Sequence, residues 1–412
     1  MESRSKLAGL VAVLLVAVST AVLADDWPQW GGPNRDAVSK ETGLLKAWPE
    51  GGPTLLWTAS GCGAGYGSPS VAAATIYLTG DFGYETAVVA FGLDGTQKWK
   101  TTYGRSHTDK GTYPGARSEP TVDGAMVYSL GPQGDLVCLD AKTGERKWGL
   151  NILQDFKGRS PDWKVAESVL IDGNNLICTP GGRDATIVAL DKKTGRTIWT
   201  SKGLSDPPAY SSCILYKVGN VSMISTLTAK GLVGVDARTG QFLWRYDRPA
   251  NGTASIPTPV FHDDRVFCAS GYGVGGGQVQ ITVGNGSVSA QQTWETKNMV
   301  NHHGGYVYLD GYLYGNHNNG WSCLDWKTGE QKWFNRGVGK GSCIAAEGML
   351  YCLNEGRGMG LVKAGPERFE MVSRFMIPGG QPNNSWAHPV IANGRLYVRH
   401  WDNLYCFDIK AK

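Results

Sequence analysis

Two adjacent histidines, His302 and His303, open the stretch NHHGGYVYLDGYLYGNHNNGW at 301–321, which ends past a third histidine, His317. Imidazoles at such spacing can ligate a metal or carry a proton, and with the asparagines around them they can recognise a polar ligand. Other candidates stand far off in the chain: Arg117 and Glu119 in RSEP, Glu167 in AESV, and Trp386 and His388 in SWAHP. Two carboxylates and two imidazoles could in principle share a cation, but Glu119, Glu167, His303 and His388 come from segments that are widely separated. Direct coordination by all four would need an unusually narrow site, so no metal site and no catalytic residue is assigned. Gly271, Gly273 and Gly276 match G-x-G-x-x-G, yet QVQITV follows and reads as a strand, so the helix needed for phosphate binding is missing. GVGKGS at 337–342 lacks the spacing of a phosphate loop, and neither G-x-S-x-G nor H-E-x-x-H occurs.

The elements that position these residues are written in a repeat. LDAKTGERKW at 139–148 returns as LDKKTGRTIW at 190–199, VDARTGQFLW at 235–244 and LDWKTGEQKW at 324–333, with a worn copy, LDGTQKW, at 93–99. The period is about 47 residues, the range of solenoids and propellers. Apolar residues before each copy form a strand, the aspartate accepts backbone N–H groups in a tight turn, and the glycine takes a left-handed conformation. The tryptophan then lies on the next antiparallel strand, where a neighbouring unit can bury it. Upstream of each copy, segments such as EPTVDGAMVYSL and HPVIANGRLYVRH add two more strands. Each unit is therefore predicted to have four antiparallel strands.

Outer strands are marked by Trp99, Trp148, Trp199, Trp244, Trp294, Trp333 and Phe375. The last unit, from 387, has three strands, and PTLLWTAS at 53–60 is an outer strand with nothing before it. The pattern predicts an all-β, eight-bladed propeller whose N-terminal strand completes the last blade and hides both edges.

With this turn repeated at near-constant spacing, the chain resembles the PQQ-like repeat β-propellers over residues 50–412. DDWPQWGGPNRD at 25–36 and NHHGGY at 301–306 resemble exported members from planctomycete-type bacteria. The family includes quinoprotein dehydrogenases, in which calcium held by Glu, Asn and Asp polarises pyrroloquinoline quinone, and a distant relative is the outer-membrane β-barrel assembly propeller lipoprotein. The adjacent cysteine pair that encloses the quinone in those enzymes is missing here. The leading expectation is thus a non-catalytic binding or scaffold module for an envelope protein, a peptide or a glycan, with no cofactor. The alternative that the resemblance implies is a PQQ- and calcium-dependent oxidoreductase acting on alcohols or sugars.

Register then places the ligand. Aligning the inner strands puts Ser68, Glu119, Glu167, Ser211, Thr258, His303 and His388 near an axial funnel, with Arg117, His302 and Trp386 close by and His317 in the same histidine-rich segment. The funnel is expected either to hold a polar ligand or to be a hydrated channel.

The ends and the composition set the compartment. Arg4 and Lys6, the apolar run 7–22 and Val22-Leu23-Ala24 read as a secretory signal peptide over 1–24, followed by an extension over 25–50 and the propeller over 51–412. Export to the periplasm or cell envelope follows, with no membrane span after cleavage. A net charge of +4 without a basic run gives no reason to expect nucleic acid. The nine cysteines, an odd number widely spaced, read as small buried strand residues.

Overall fold

A computed structural model describes residues 26–109, 113–284, 286–380 and 383–411; the expected signal peptide lies outside the described residues. The chain folds into eight sheets of antiparallel strands around one axis. Blade one spans Ser70–Arg105, blade two Thr121–Asn151, blade three Leu170–Thr200 and blade four Ile214–Tyr246. Blade five spans Val260–Thr296, blade six Tyr306–Asn335 and blade seven Gly341–Met376. Blade eight joins three strands within Val390–Asp408 to Thr54–Ser60, and Trp57 stands opposite Cys406. The first strand of each blade is innermost, and the inner strands of blades one, two and three, and of blades five, six and seven, touch their neighbours. Among the described residues, α-helix is confined to Ile152–Asp155, capped by Asn151.

The repeated turn works as its residues require. Asp140 Oδ1 accepts from the backbone N–H of Lys142 and Thr143 and from the Thr143 hydroxyl, and Asp191, Asp236 and Asp325 repeat the arrangement. The glycine has a second duty beyond its positive φ. Gly240 sits at φ +72°, and a Cβ there would lie 2.4 Å from the Trp199 ring of the preceding blade. That tryptophan donates its indole N–H to the Ala237 carbonyl in the same turn. Trp57, Trp99, Trp148, Trp294 and Trp333 each make the equivalent bond to the next blade. The turn is thus a clamp between blades. Blade five replaces it with a long hairpin, Gly275–Gly284 and Ser287–Thr296, and the buried Nε1 of Trp244, which would reach it, finds no partner.

The extension before the first blade strand is packed through the ring. Trp27 bridges Val71 in blade one, Trp30 donates to the Thr258 hydroxyl before blade five, and Arg35 donates to the Ser168 and Val169 carbonyls before blade three. Val38–Ser39 then adds a parallel fifth strand to blade seven. The segment leaves between blades seven and eight, where Leu44 bridges Lys410 and Trp48 packs on Phe375. It therefore crosses the axis, and the chain itself fills that part of the ring.

All nine cysteines are buried and unpaired. No helix among the described residues is long and apolar enough to cross a membrane.

Candidate functional site

The inner-strand starts are tied to one another before they can serve a ligand. Ser68 Oγ accepts the His388 backbone N–H at 2.8 Å, Ser168 Oγ that of Glu119 at 2.8 Å, and Ser212 Oγ that of Ser168 at 2.9 Å. Thr258 Oγ1 accepts the Trp30 indole at 2.9 Å. The serine hydroxyls join adjacent blades around the axis, and Thr258 ties the N-terminal segment to them.

Below them, Arg35 lies buried near both Glu119 and Glu167. Burial lowers its pKa to about 10, opposed by Cys213 and the two glutamates. Burial raises Glu119 well above the usual carboxylate range and Glu167 to about 7. Ser70 donates to Glu119 Oε1, and the Thr179 N–H donates to Glu167 Oε1. This core of one guanidinium and two carboxyls is a foundation, and Glu167 does not line the space above it.

That space is a cavity of about 410 Å³ on the axis. The crossing segment, through Trp27, Trp30 and Arg35, contributes to its wall. Tyr66, Tyr113, Trp163, Tyr210, Tyr272 and Trp386 add aromatic faces, most of them from the loops that lead into the inner strands. Arg117, Glu119, His302, His303, Trp386 and His388, all singled out from sequence, line it together. His317 does not. Its Nδ1 accepts the Val300 N–H at the end of a blade-six strand, and its ring meets Phe334.

Trp386 is held from several sides. Tyr66 and Tyr113 lie 4.8 and 4.9 Å from it between ring centroids, His303 lies 5.7 Å away, and its indole N–H donates to Glu355 Oε1 at 2.9 Å. Lys340 Nζ reaches the same oxygen at 3.0 Å. Arg117 stacks on Tyr66, contacts His107 Nδ1 at 3.1 Å and donates to the Gly115 carbonyl. Trp30 packs on His388 at 4.6 Å, and His388 Nε2 meets the His303 carbonyl at 3.0 Å. Burial lowers His302 and His388 to about 4 and holds His303 well below the usual imidazole value, so the imidazoles of the cavity are neutral near pH 7.

Glu355, Lys340, Arg35 and Trp30 carry much of this geometry and are not among the residues chosen from sequence. The motif WPQWGGPNRD was visible, but the contacts of Trp30 with Thr258 and of Arg35 with Ser168 lie more than a hundred positions away. Glu355 sits in a strand-connecting turn of blade seven, where register offers no hint of the axis.

The donor set can be tested against a calcium-held quinone. Calcium takes about six to eight oxygen ligands. The carboxylates on the cavity wall are Asp36, Glu119 and Glu355. Asp36 accepts the Val38 N–H, Glu119 accepts from Ser70, and Glu355 is taken by Lys340 and Trp386. Among the described residues the donors that converge are His302, His303 and Glu355, two nitrogens with one oxygen. These residues do not fit a calcium-held quinone.

Comparison with known proteins places the chain. A family model described as outer membrane protein assembly factor BamB matches residues 34–161 and 84–335. A quinoprotein ethanol dehydrogenase of Pseudomonas putida is 27% identical over 261 residues, 53% of this chain and 40% of that protein. An outer membrane protein assembly factor BamB of Kangiella koreensis is 27% identical over 164 residues, 38% of this chain and 35% of that protein. Each match thus spans well under two thirds of its relative. Among solved structures, BamB from Moraxella catarrhalis superposes with a TM-score of 0.61 at 14% identity, covering 86% of this chain and 99% of that one. Quinohemoprotein alcohol dehydrogenase from Comamonas testosteroni superposes with a TM-score of 0.66 at 13% identity, covering 94% and 81%. At such identities these structures share the fold. With its clamp turns, its eight-bladed ring and a family match running from 34 to 335, the chain belongs to the PQQ-like repeat propellers of the BamB family.

Proposed function

We propose that this propeller is a non-catalytic binding module of the cell envelope, and that its axial cavity takes a carbohydrate-type ligand. The observation that carries this reading is the cavity wall. Flat aromatic faces from Trp386, Tyr113, Tyr210 and Trp163 stand beside a few polar groups, Arg117, His302 and Lys340. Sugar rings present apolar C–H faces that stack on aromatics and hydroxyls that bond to such groups. The crossing segment supports the reading from below, since it gives the funnel a fixed wall and keeps Glu119 with Arg35. Envelope placement rests on the expected signal peptide and on relatives named for outer membrane assembly.

A second reading, quinone-dependent oxidation of alcohols, is favoured by the 261-residue match to the ethanol dehydrogenase and opposed by the donor set. One pair of experiments separates them. Purified protein is titrated with PQQ, with and without calcium, and followed by absorbance; it is also screened on a glycan array, with Trp386→Ala alongside. Glycan binding lost in the variant, without calcium-dependent PQQ binding, is the expected result. Stoichiometric, calcium-dependent PQQ binding would overturn the binding-module reading.

A further inference from the structure

From the convergence of His302, His303 and Glu355 on the cavity wall, we infer that this protein has a site for a zinc-class divalent metal ion. One donor atom from each residue lies within 4.8 Å of the other two. The Nδ1 atoms of the two imidazoles are 3.3 Å apart, and His303 Nδ1 is 3.8 Å from Glu355 Oε1. Ligands at about 2.1 Å around a tetrahedral zinc stand about 3.4 Å from one another. The three side chains therefore need only small rotations to meet one ion.

The surroundings hold these side chains as outer partners hold metal ligands. His302 turns its other nitrogen, Nε2, to the Tyr272 hydroxyl at 3.0 Å, which fixes the ring with Nδ1 facing His303. Trp386 orients Glu355 through its indole N–H. His303 is clamped between the His302 and Trp386 rings. Lys340 is the cation beside Glu355, and the ion would replace it there.

Two nitrogens and one carboxylate suit zinc and its neighbours better than calcium or magnesium. Three protein ligands leave at least one coordination position open, and all three residues line the cavity. The site shares His302, Lys340 and Trp386 with the cavity wall, but its three donors come from the chain itself, so it does not rest on the sugar reading.

The test uses tag-free protein stripped with a chelator and then titrated with zinc chloride by calorimetry. Cobalt(II) serves as a spectroscopic probe, because its visible absorption reports low-coordinate nitrogen and oxygen ligation. The expected result is one ion per chain, with affinity lowered at least tenfold in His302→Ala and in Glu355→Gln, raised in Lys340→Met, and unchanged in His317→Ala. Circular dichroism and thermal unfolding of each variant separate a lost ligand from a lost fold. Lys340→Met, which removes a competitor rather than a ligand, keeps the test decisive if the others unfold. Absence of stoichiometric binding, or binding that His302→Ala, Glu355→Gln and Lys340→Met all leave unaltered, would overturn the site.

Discussion

The Arg35 guanidinium donates to the Ser168 carbonyl at 2.9 Å, across 133 positions of sequence. The bond pins the axis-crossing segment to the start of blade three, next to two buried glutamates. Replacing Arg35 with alanine removes this bond and the bond to Val169, and strips the cation from beside Glu167. Loss of about 3 kcal/mol of stability is expected. Urea unfolding of the wild type and of Arg35→Ala measures it, and a change below about 0.5 kcal/mol would mean that the segment is only draped across the axis.

Glu167 gives a pH dependence with a definite sign. Its folded pKa, about 7, lies above its ordinary value of 4.5, because burial disfavours the charge. The folded state then holds the proton more tightly than the unfolded state. The associated stability is full below pH 4.5 and is lost as pH rises towards 7. Glu167→Gln cannot ionise, so its stability relative to wild type should grow across that window, by up to about 3 kcal/mol. Parallel stability curves for the two proteins from pH 4.5 to 7.5 would refute this account.

The clamp turns predict a difference between two glycines with the same backbone. Gly240 and Gly348 have φ of +72° and +74°, but a Cβ on Gly240 would strike Trp199, whereas one on Gly348 meets nothing within 4 Å. Gly348→Ala should cost about 1 kcal/mol for the left-handed backbone alone. Gly240→Ala should cost about 2 kcal/mol more, through the displaced tryptophan. Thermal unfolding of both variants checks the order, and equal losses would remove the packing role of the turn.

The cysteines predict a chemical silence. All nine are buried and unpaired, and burial pushes Cys62, Cys213, Cys268 and Cys343 up to about 12. A thiol reagent should find no rapidly reacting group in the native protein and nine after denaturation. A fast native thiol would show that some blade opens locally.

What could be read in advance was what repeats. Asp140, Gly144 and Trp148 recur because each blade solves the same packing problem, so the turn, the strand order and the closure by Trp57 followed from one pattern. Arg117, Glu119, His302, His303, Trp386 and His388 were legible for a related reason, since register alone carries the residues before an inner strand to the axis. Glu167 obeys the same register yet turns to Thr179, beneath the cavity. His317 belonged to the histidine-rich segment but not to the register. Arg35, Trp30 and Glu355 escaped because each is used once. Their partners, at Ser168, Thr258 and Lys340, are set by how an unrepeated segment or turn lies in three dimensions, and no periodicity encodes that.

The strand carrying Trp57 has a bearing on how the molecule comes to exist. Ser60 bonds to Asn403, 343 positions away, and the segment before it is laced through the middle of the ring. An open solenoid can add one unit after another, each stable on the last. Here the outermost strand of the final blade must wait until three strands made far later are in place, while its own leading segment already lies among blades one, three, five and seven. Closure is therefore a single event over nearly the whole chain, and contacts of such separation form slowly. Until then the edges stay unpaired, so the interval before closure is when this protein is most exposed to misassembly.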